Sequence, residues 1–374
     1  MDKRIKKAAI ITMTQSGQNY GNRLQNYALQ EILNNLGVYA ETIWHSSNPV
    51  LFSYMRIKKR IKVFVKSIIK HTPFEALRYE RFDSFNLKYI CYSKIGFGNN
   101  RIIGKKTDRY DFFIVGSDQV WNTNYRFIQE NLDIFLAAFA PPSMRIAYAA
   151  SFGVKDITDE CVQKFNTELP KFKWISVREE AGIEIAEKYG AEATVVLDPT
   201  MMLRSDEWDR VSKKPKYMKS GSYIVTYFLG GRNKVTDEYI NSVSNGKRII
   251  NLEAEWNLPH TKEERSIYAT APDEFVWLIS HADCVLTDSF HASVFSILYH
   301  KPFFVYERLV NGKSSGMEGR LDTLLGTFGL EMCRGDINHP DGIPPAVNWD
   351  SVEKNLEEER EKSLAFLKRA LETE

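Results

Sequence analysis

Short apolar runs alternate with amphipathic stretches along most of this chain. Ala8–Met13 (AAIITM) has strand length. Asn22–Leu36 then places Leu24, Tyr27, Ala28, Ile32 and Leu36 on one helical stripe, ended by Gly37. Val38–Trp44 predicts a second strand, and Phe112–Val115 (FFIV) a buried one that opens into Gly116-Ser117-Asp118. Arg145–Ala150 and Trp174–Val177 predict strands, and Glu180–Tyr189 a helix stopped by Gly190. Ala193–Leu197 predicts a strand before Asp198-Pro199. The polar stretch Lys213–Gly221, with a proline and a glycine, interrupts the pattern. A second alternation follows: strands at Tyr223–Phe228, Arg248–Leu252, Cys284–Thr287 and Phe303–Tyr306, helices at Lys234–Val243, Pro272–Ser280 and Ala292–Leu298. The pattern predicts the α/β class, with mostly parallel sheets covered on both faces. It divides into an N-terminal domain (1–212) and a C-terminal domain (213–349). A long terminal helix, Asp350–Leu371 within 350–374, is expected to return to the first.

Composition changes this picture little. A length of 374 residues suits two domains. With 43% hydrophobic and 26% charged residues the chain is not disordered. The N-terminal MDKRIKKAAIITM lacks a small-residue cleavage site and reads as a first strand rather than a signal peptide. Cys91, Cys161, Cys284 and Cys333 are scattered, which suggests reduced thiols in a cytoplasmic protein.

Charge is more informative. Between Tyr54 and His71 lie Arg56, Lys58, Lys59, Arg60, Lys62, Lys66 and Lys70, with no acid. The rest holds 43 basic against 48 acidic residues, so the remainder is mildly acidic and the basic charge is concentrated in this one element. That argues against a nucleic-acid binder. Ile57, Ile61, Phe64 or Val65, and Ile68 recur there at helical spacing. This predicts a helix that either touches an anionic membrane, at the inner face, or packs its stripe on the sheet.

Absences narrow the chemistry. No GxGxxG or GxxxxGK[ST] occurs, and no DxD offers ligands for a metal-bound nucleotide sugar. Gly312–Gly316 fits GxSxG without the strand–turn–helix that motif needs, and His281, Cys284 and His291 fit no zinc spacing. No metal and no cofactor are expected. Candidate residues crowd at strand ends. Asn19, Tyr20 and Asn22 flank Gly21 where strand one meets helix one, with Asn22 available as a cap. Asp118 and Gln119 follow FFIV. Arg178 ends the strand Trp174–Val177, where a guanidinium can fork onto a carboxylate or phosphate or pair with a nearby glutamate. Thr287–Ser293 (TDSFHAS) is the strongest signal. Ser289 can cap the next helix, His291 falls in its first turn, and Asp288 is near enough to orient the imidazole. Lys313, Ser314, Ser315, Gly316, Gly319 and Arg320 read as a cationic lid or as a solvated loop.

Six segments in order give these candidates a context. NYGNRLQNYALQ (19–30), FIVGSDQVWN (113–122), YAASFG (148–153), ISVRE (175–179), LDPT (197–200) and LTDSFHASVFSILYHKPFFV (286–305) together resemble the polysaccharide pyruvyl transferase family. The resemblance runs from strand one to about Arg334. It implies two Rossmann-like domains facing a cleft, a GT-B-like arrangement. It also implies transfer of the enolpyruvyl group of phosphoenolpyruvate onto two hydroxyls of a sugar, galactose-type, to form a cyclic ketal on a surface glycan. The acceptor would be a glycan or a lipid-linked oligosaccharide, met by Asn19, Tyr20, Asn22, Asp118 and Gln119. The family's donor-site arginine maps onto Arg178. Its Arg-Leu-His tripeptide maps onto Ser289-Phe290-His291, where the histidine is kept and the arginine lost; Lys313, Arg320 or Arg232 is left to supply that charge. His291, with Asp288, is the expected catalytic pair. Replacing His291 or Arg178 is expected to leave folding intact. The alternatives are a GT-B glycosyltransferase using a nucleotide sugar and an inactive glycan-binding or scaffold homologue.

Overall fold

The computed structural model describes residues 4–14, 18–45, 52–69, 72–104, 107–252, 261–310, 313–314, 319–338 and 340–372, with 52–59, 73 and 313–314 as backbone. Its first sheet contains β1 (Lys6–Ile11), β2 (Val38–His45), β3 (Tyr92–Gly98), β4 (Arg101–Ile103), β5 (Phe112–Val115), β6 (Arg145–Ala150), β7 (Trp174–Val177) and β8 (Thr194–Val195). The connecting helices are α1 (Tyr20–Asn35), α2 (Phe52–Ile69), α3 (Pro73–Tyr89), α4 (Arg126–Gln129), α5 (Leu132–Phe135), α6 (Asp159–Glu168) and α7 (Ala181–Lys188). The strand order is β4-β3-β2-β1-β5-β6-β7-β8, parallel throughout except for the edge pair β3–β4.

Two short helices, α8 (Pro199–Met202) and α9 (Ser205–Asp209), lead into the second half. Its strands are β9 (Tyr223–Tyr227), β10 (Arg248–Asn251), β11 (Cys284–Thr287), β12 (Phe303–Tyr306), the hairpin β13 (Leu309–Val310) and β14 (Lys313–Ser314), and β15 (Arg334–Gly335). Its helices are α10 (Lys234–Ser244), α11 (Lys262–Tyr268), α12 (Pro272–Ser280), α13 (Phe290–Leu298), α14 (Gly319–Phe328) and the terminal α15 (Trp349–Glu372). The second sheet is fully parallel, in the order β10-β9-β11-β12-β15. Both sheets are Rossmann-like. In each the chain winds outward from a central strand and then returns to its other side, so the direction reverses between β1 and β5 and between β9 and β11.

Strand composition explains the layers. Successive side chains of a strand point to opposite faces, so a strand covered on both sides must be apolar at every position. In β1, Ala8 and Ile10 join one core while Ala9 and Ile11 join the other. Phe112 and Ile114 of β5 pair with the first set, Phe113 and Val115 with the second. The second sheet repeats this, with Val225, Val285 and Val305 inward and Ile224, Leu286 and Tyr306 outward.

The sheets are separate but their packing is continuous. Tyr20 of α1 stacks on Phe275 of α12 with centroids 4.4 Å apart. Trp208 is fully buried between Tyr27 of α1 and Phe295 of α13, and its indole N–H donates to the Thr200 carbonyl. The terminal helix returns to the first sheet. Ser363 Oγ accepts from the Leu197 amide, Arg360 donates to the Met201 and Leu203 carbonyls, and Phe366 packs on Tyr148 and Trp174.

The basic helix departs from one of its two expected placements. Among the described residues of α2 it is Ser67 that is buried, while Ile61, Phe64, Val65 and Ile68 stay exposed, so the stripe does not pack on the sheet.

Trp208 touches both halves, so its truncation tests how much their contact contributes. Trp208→Ala is expected to lower unfolding free energy by about 3–5 kcal/mol. Denaturant titration checks this; a loss within experimental error would show that the halves do not depend on the contact.

Candidate functional site

The site is assembled from the carboxyl ends of both sheets, at the reversal points of their strand orders. Such ends carry the loops and helix N-termini that bind ligands in open parallel sheets. After β1 the chain enters α1 through Asn19, which caps it by accepting from the Asn22 amide at 3.2 Å. The cap is therefore Asn19 rather than Asn22, whose side chain is free to donate to Asp118 Oδ2 at 2.6 Å. Asp118 follows β5 with φ 72, a left-handed conformation rare for a residue with a side chain. Its carbonyl accepts from the Ser151 amide and holds that turn.

Arg178 leaves the end of β7 almost fully buried. It donates to Asp198 Oδ2 at 2.9 Å, lies 3.6 Å from Asp118 Oδ1, and covers the Phe290 ring at 4.5 Å. Burial opposes its charge, but Asp198, Asp118 and Glu179 outweigh that and raise its pKa. Asp198 ends the LDPT segment. Ser117 donates to its Oδ2, and the Thr200 amide and hydroxyl to its Oδ1. Burial alone would raise the Asp198 pKa; His291 when protonated, Arg178 and Thr200 reverse this and hold it at about 2. Glu179 is occupied too, its Oε1 accepting from Ser151 Oγ and the Phe152 and Gly153 amides.

From the second sheet comes His291, in the first turn of α13. Ser289 caps that helix as expected, accepting from the Ala292 amide. The imidazole lies against Gly21: a Cβ there would stand 1.9 Å from His291 Nδ1. Only glycine lets the start of α1 approach so closely. His291 Nε2 lies 3.8 Å from Asp198 Oδ2 and has no hydrogen-bond partner among the described residues. Burial pushes the imidazole pKa below its ordinary value; Asp198 and Asp118 pull it up, while Arg178 and Arg320 reinforce the depression. At neutral pH the ring is therefore uncharged and can accept a proton.

The remaining cation is Arg320, in the first turn of α14. That helix start rests against the first lobe, with Gly319 facing Ala181 and Thr323 Oγ1 accepting from the Glu180 amide. Arg320 is buried and has no ion-pair partner among the described residues; its Nε has no hydrogen-bond acceptor, and neither do Arg178 Nε and Nη2. Burial, with Arg178 and Arg308 nearby, lowers its pKa to about 10, so it stays charged at neutral pH. Two guanidinium groups with unused donors thus share a buried space with an unpartnered imidazole nitrogen. Buried donors are ordinarily satisfied, and such a set suits an anionic ligand.

Several expectations are corrected by this geometry. Asp288 does not orient His291. Its carboxylate accepts from the Leu229 and Gly230 amides at 2.7 and 2.8 Å and faces Arg308, so it fixes the loop after β9. Asp198 is the carboxylate that faces the imidazole. Tyr20 is fully buried, stacked on Phe275 and donating to the Thr270 carbonyl, and is not exposed to an acceptor. Gln119 packs over Gly153 and accepts from Asn122. Arg232 is engaged by Asp237 and Asn251. Asn19 remains partly open. The Lys313 side chain and residues 315–318 of the expected lid lie outside the described residues. Among the described residues there is no metal-binding group of three or more His, Cys, Asp or Glu. Arg178 also has a structural part. Its removal would strand two buried carboxylates, a change that costs about 3–5 kcal/mol in comparable pairs, so folding is not expected to be indifferent to it.

Residues 19–308 match the polysaccharide pyruvyl transferase family. The chain belongs to that family, and is a transferase. Its matched span includes Gly21, Asp118, Arg178, Asp198 and His291, and ends before Arg320. No curated protein matches the transferase. Among solved structures it is similar to a UDP-GlcNAc 2-epimerase from Neisseria meningitidis bound to UDP-GlcNAc, at 9% identity and TM-score 0.44, covering 99% of this chain and 94% of that one. The glycotransferase of kitacinnamycin is 11% identical with TM-score 0.38, over 98% and 95% of the two chains. The spinosyn forosaminyltransferase is 8% identical with TM-score 0.36, over 98% and 95%.

The contact of His291 with Gly21 is open to test. In the free protein the imidazole is expected to titrate below its ordinary pKa of about 6.5. Gly21→Ala, which displaces the ring, should return it toward that value while the fold is kept. The histidine proton signal lost in His291→Gln identifies the resonance. An unchanged titration in Gly21→Ala would show that the ring does not rest on the glycine.

Proposed function

We propose that this transferase moves the enolpyruvyl group of phosphoenolpyruvate onto two hydroxyls of one sugar, galactose-type, in a glycan or lipid-linked oligosaccharide, giving a cyclic ketal and inorganic phosphate. The observation that carries the reading is the set of buried, unpartnered polar atoms where the lobes meet: the donors Arg320 Nε and Arg178 Nε and Nη2, with the imidazole nitrogen His291 Nε2 beside them. Phosphoenolpyruvate presents a carboxylate and a phosphate to such donors. Arg178 is already compensated by Asp198 and Asp118, whereas Arg320 forms no close ion pair among the described residues and meets Glu179 and Asp118 only at longer range. Arg320 therefore takes the role of the arginine that Ser289 replaces, and Arg178 directs its free N–H groups from a fixed position.

The chemistry asks little else of the protein. A proton is added to the methylene carbon, which leaves the central carbon electrophilic. One sugar hydroxyl attacks it and loses its proton; phosphate departs with the C–O bond electrons; the second hydroxyl attacks and closes the ring. Of the two hydroxyl protons, one balances the proton given to carbon and the other leaves with phosphate. Neutral His291 suits the proton-accepting step, beside an ionised Asp198 that stabilises the imidazolium formed. Asn22 and Asp118, joined at 2.6 Å, and the partly open Asn19 lie on the first-lobe side, where the sugar would enter.

The test is to incubate the protein with phosphoenolpyruvate and a panel of aryl and lipid-linked glycosides, and to look by mass for one pyruvate added less water. Arg320→Gln is expected to raise the KM for phosphoenolpyruvate by roughly tenfold or more, with Arg320→Lys partly restoring it. No mass addition with any glycoside, together with transfer from a nucleotide sugar, would overturn the reading in favour of a glycosyltransferase.

A further inference from the structure

Helix α2 is the feature that the reaction leaves unused. It spans 18 residues, so it is about 27 Å long. It lies against α3, and the only fully buried residue among its described side chains is Ser67. On its open side Ile61 is 58% exposed, Phe64 57%, Val65 47%, Ile68 53% and Ile69 73%. No other element of the described structure carries so many exposed large apolar residues in sequence. Lys62 and Lys66 are exposed among them, and Arg60 shares its charge with Glu80 of α3 at 2.9 Å. Across Tyr54–His71 there are seven basic residues and no acid.

We propose that α2 lies flat on an anionic lipid bilayer, with Ile61, Phe64, Val65 and Ile68 in the acyl boundary and the basic side chains at the headgroups. An apolar stripe edged by lysine and arginine on a helix too charged to cross a membrane is the pattern of an interfacial helix. No described helix is long and apolar enough to span one. Charge decides between a bilayer and a second copy of the chain. Pairing α2 with itself would bring two strongly basic faces together, whereas anionic headgroups neutralise one.

The placement also bears on the acceptor. Beneath α2, Arg78 of α3 donates to Tyr20 Oη at 3.1 Å, to the Gln18 carbonyl at 2.9 Å and to the Tyr268 carbonyl. Thus α3 is tied to the loop that leads into Gly21 and to the second lobe. A bilayer bound at α2 would lie next to the helix that holds the start of α1, and a lipid-linked sugar would approach from there. That last point rests on the proposed reaction; the membrane contact does not.

Vesicle flotation of the intact protein separates the two. With neutral phosphatidylcholine vesicles little binding is expected. Vesicles with about 30% phosphatidylglycerol should bind roughly tenfold more, and high salt should release the protein. Phe64→Ser with Ile68→Ser, and separately Lys62→Glu with Lys66→Glu, should each abolish most of the binding. These side chains are exposed, so turnover of a water-soluble glycoside should be unchanged. Equal binding to neutral and anionic vesicles, no binding to either, or variants that float like the parent would overturn the proposal. So would a dimer in solution that Phe64→Ser with Ile68→Ser dissociates, since a second copy would then cover the stripe. Flotation that succeeds while no pyruvate transfer is found would remove the reaction and leave the membrane contact standing.

Discussion

Everything at the junction of the two sheets depends on how the buried Arg178 guanidinium is held. Asp198 and Asp118 sit on it from the first lobe, Phe290 lies under it from the second, and His291 faces the same Asp198 oxygen that accepts the arginine's hydrogen bond. A buried charge of this kind is tolerated only when paired, and here the pairing carboxylates come from the ends of two other strands, β5 and β8. The consequence is a site whose carboxylates stay ionised and whose imidazole stays neutral. Proton acceptance and anion binding can then coexist in one dry space.

This network also explains why small residues recur at the joints. Gly21 lets α1 begin against the imidazole. Gly153 gives way to Gln119, and the turn at Asp118 brings a carboxylate to Arg178 and Asn22 together. The lobes are therefore joined twice. One joint is apolar, through Tyr20, Phe275, Trp208 and Phe295, and the other is polar, where Phe290 and His291 of the second lobe meet Arg178 and Asp198 of the first.

Much of this architecture was legible because buried parallel strands must be apolar at every position. FFIV, CVLT and WISV are strands in any such sheet, and their ends mark where ligand-binding loops fall. Between β2 and β5 the basic helix was legible but α3 was not: it mixes aromatic, charged and polar residues without a clean stripe, because it packs on α2, α11 and α12 together. In the site, His291, Arg178 and the cap at Ser289 were readable from position alone. Asp198 was not, although LDPT stood out, because nothing in sequence says that a carboxylate before a proline will face a histidine 93 positions later. For the same reason Asp288, adjacent in sequence to the site, was credited with an orienting role that distance in space gives to Asp198. Gly21 carried a signal that was read only as turn-making, since the imidazole that needs its missing Cβ comes from the other lobe.

The central claim is that Arg320, Arg178 and His291 form one anion-binding centre across the two lobes. Crystals soaked in phosphoenolpyruvate test it most directly. The account predicts donor density whose phosphate or carboxylate oxygens meet Arg320 Nε and Arg178 Nη2, with His291 Nε2 turned toward the reacting carbon's side of the molecule. Donor density bound elsewhere, with those three side chains still unpartnered, would contradict it.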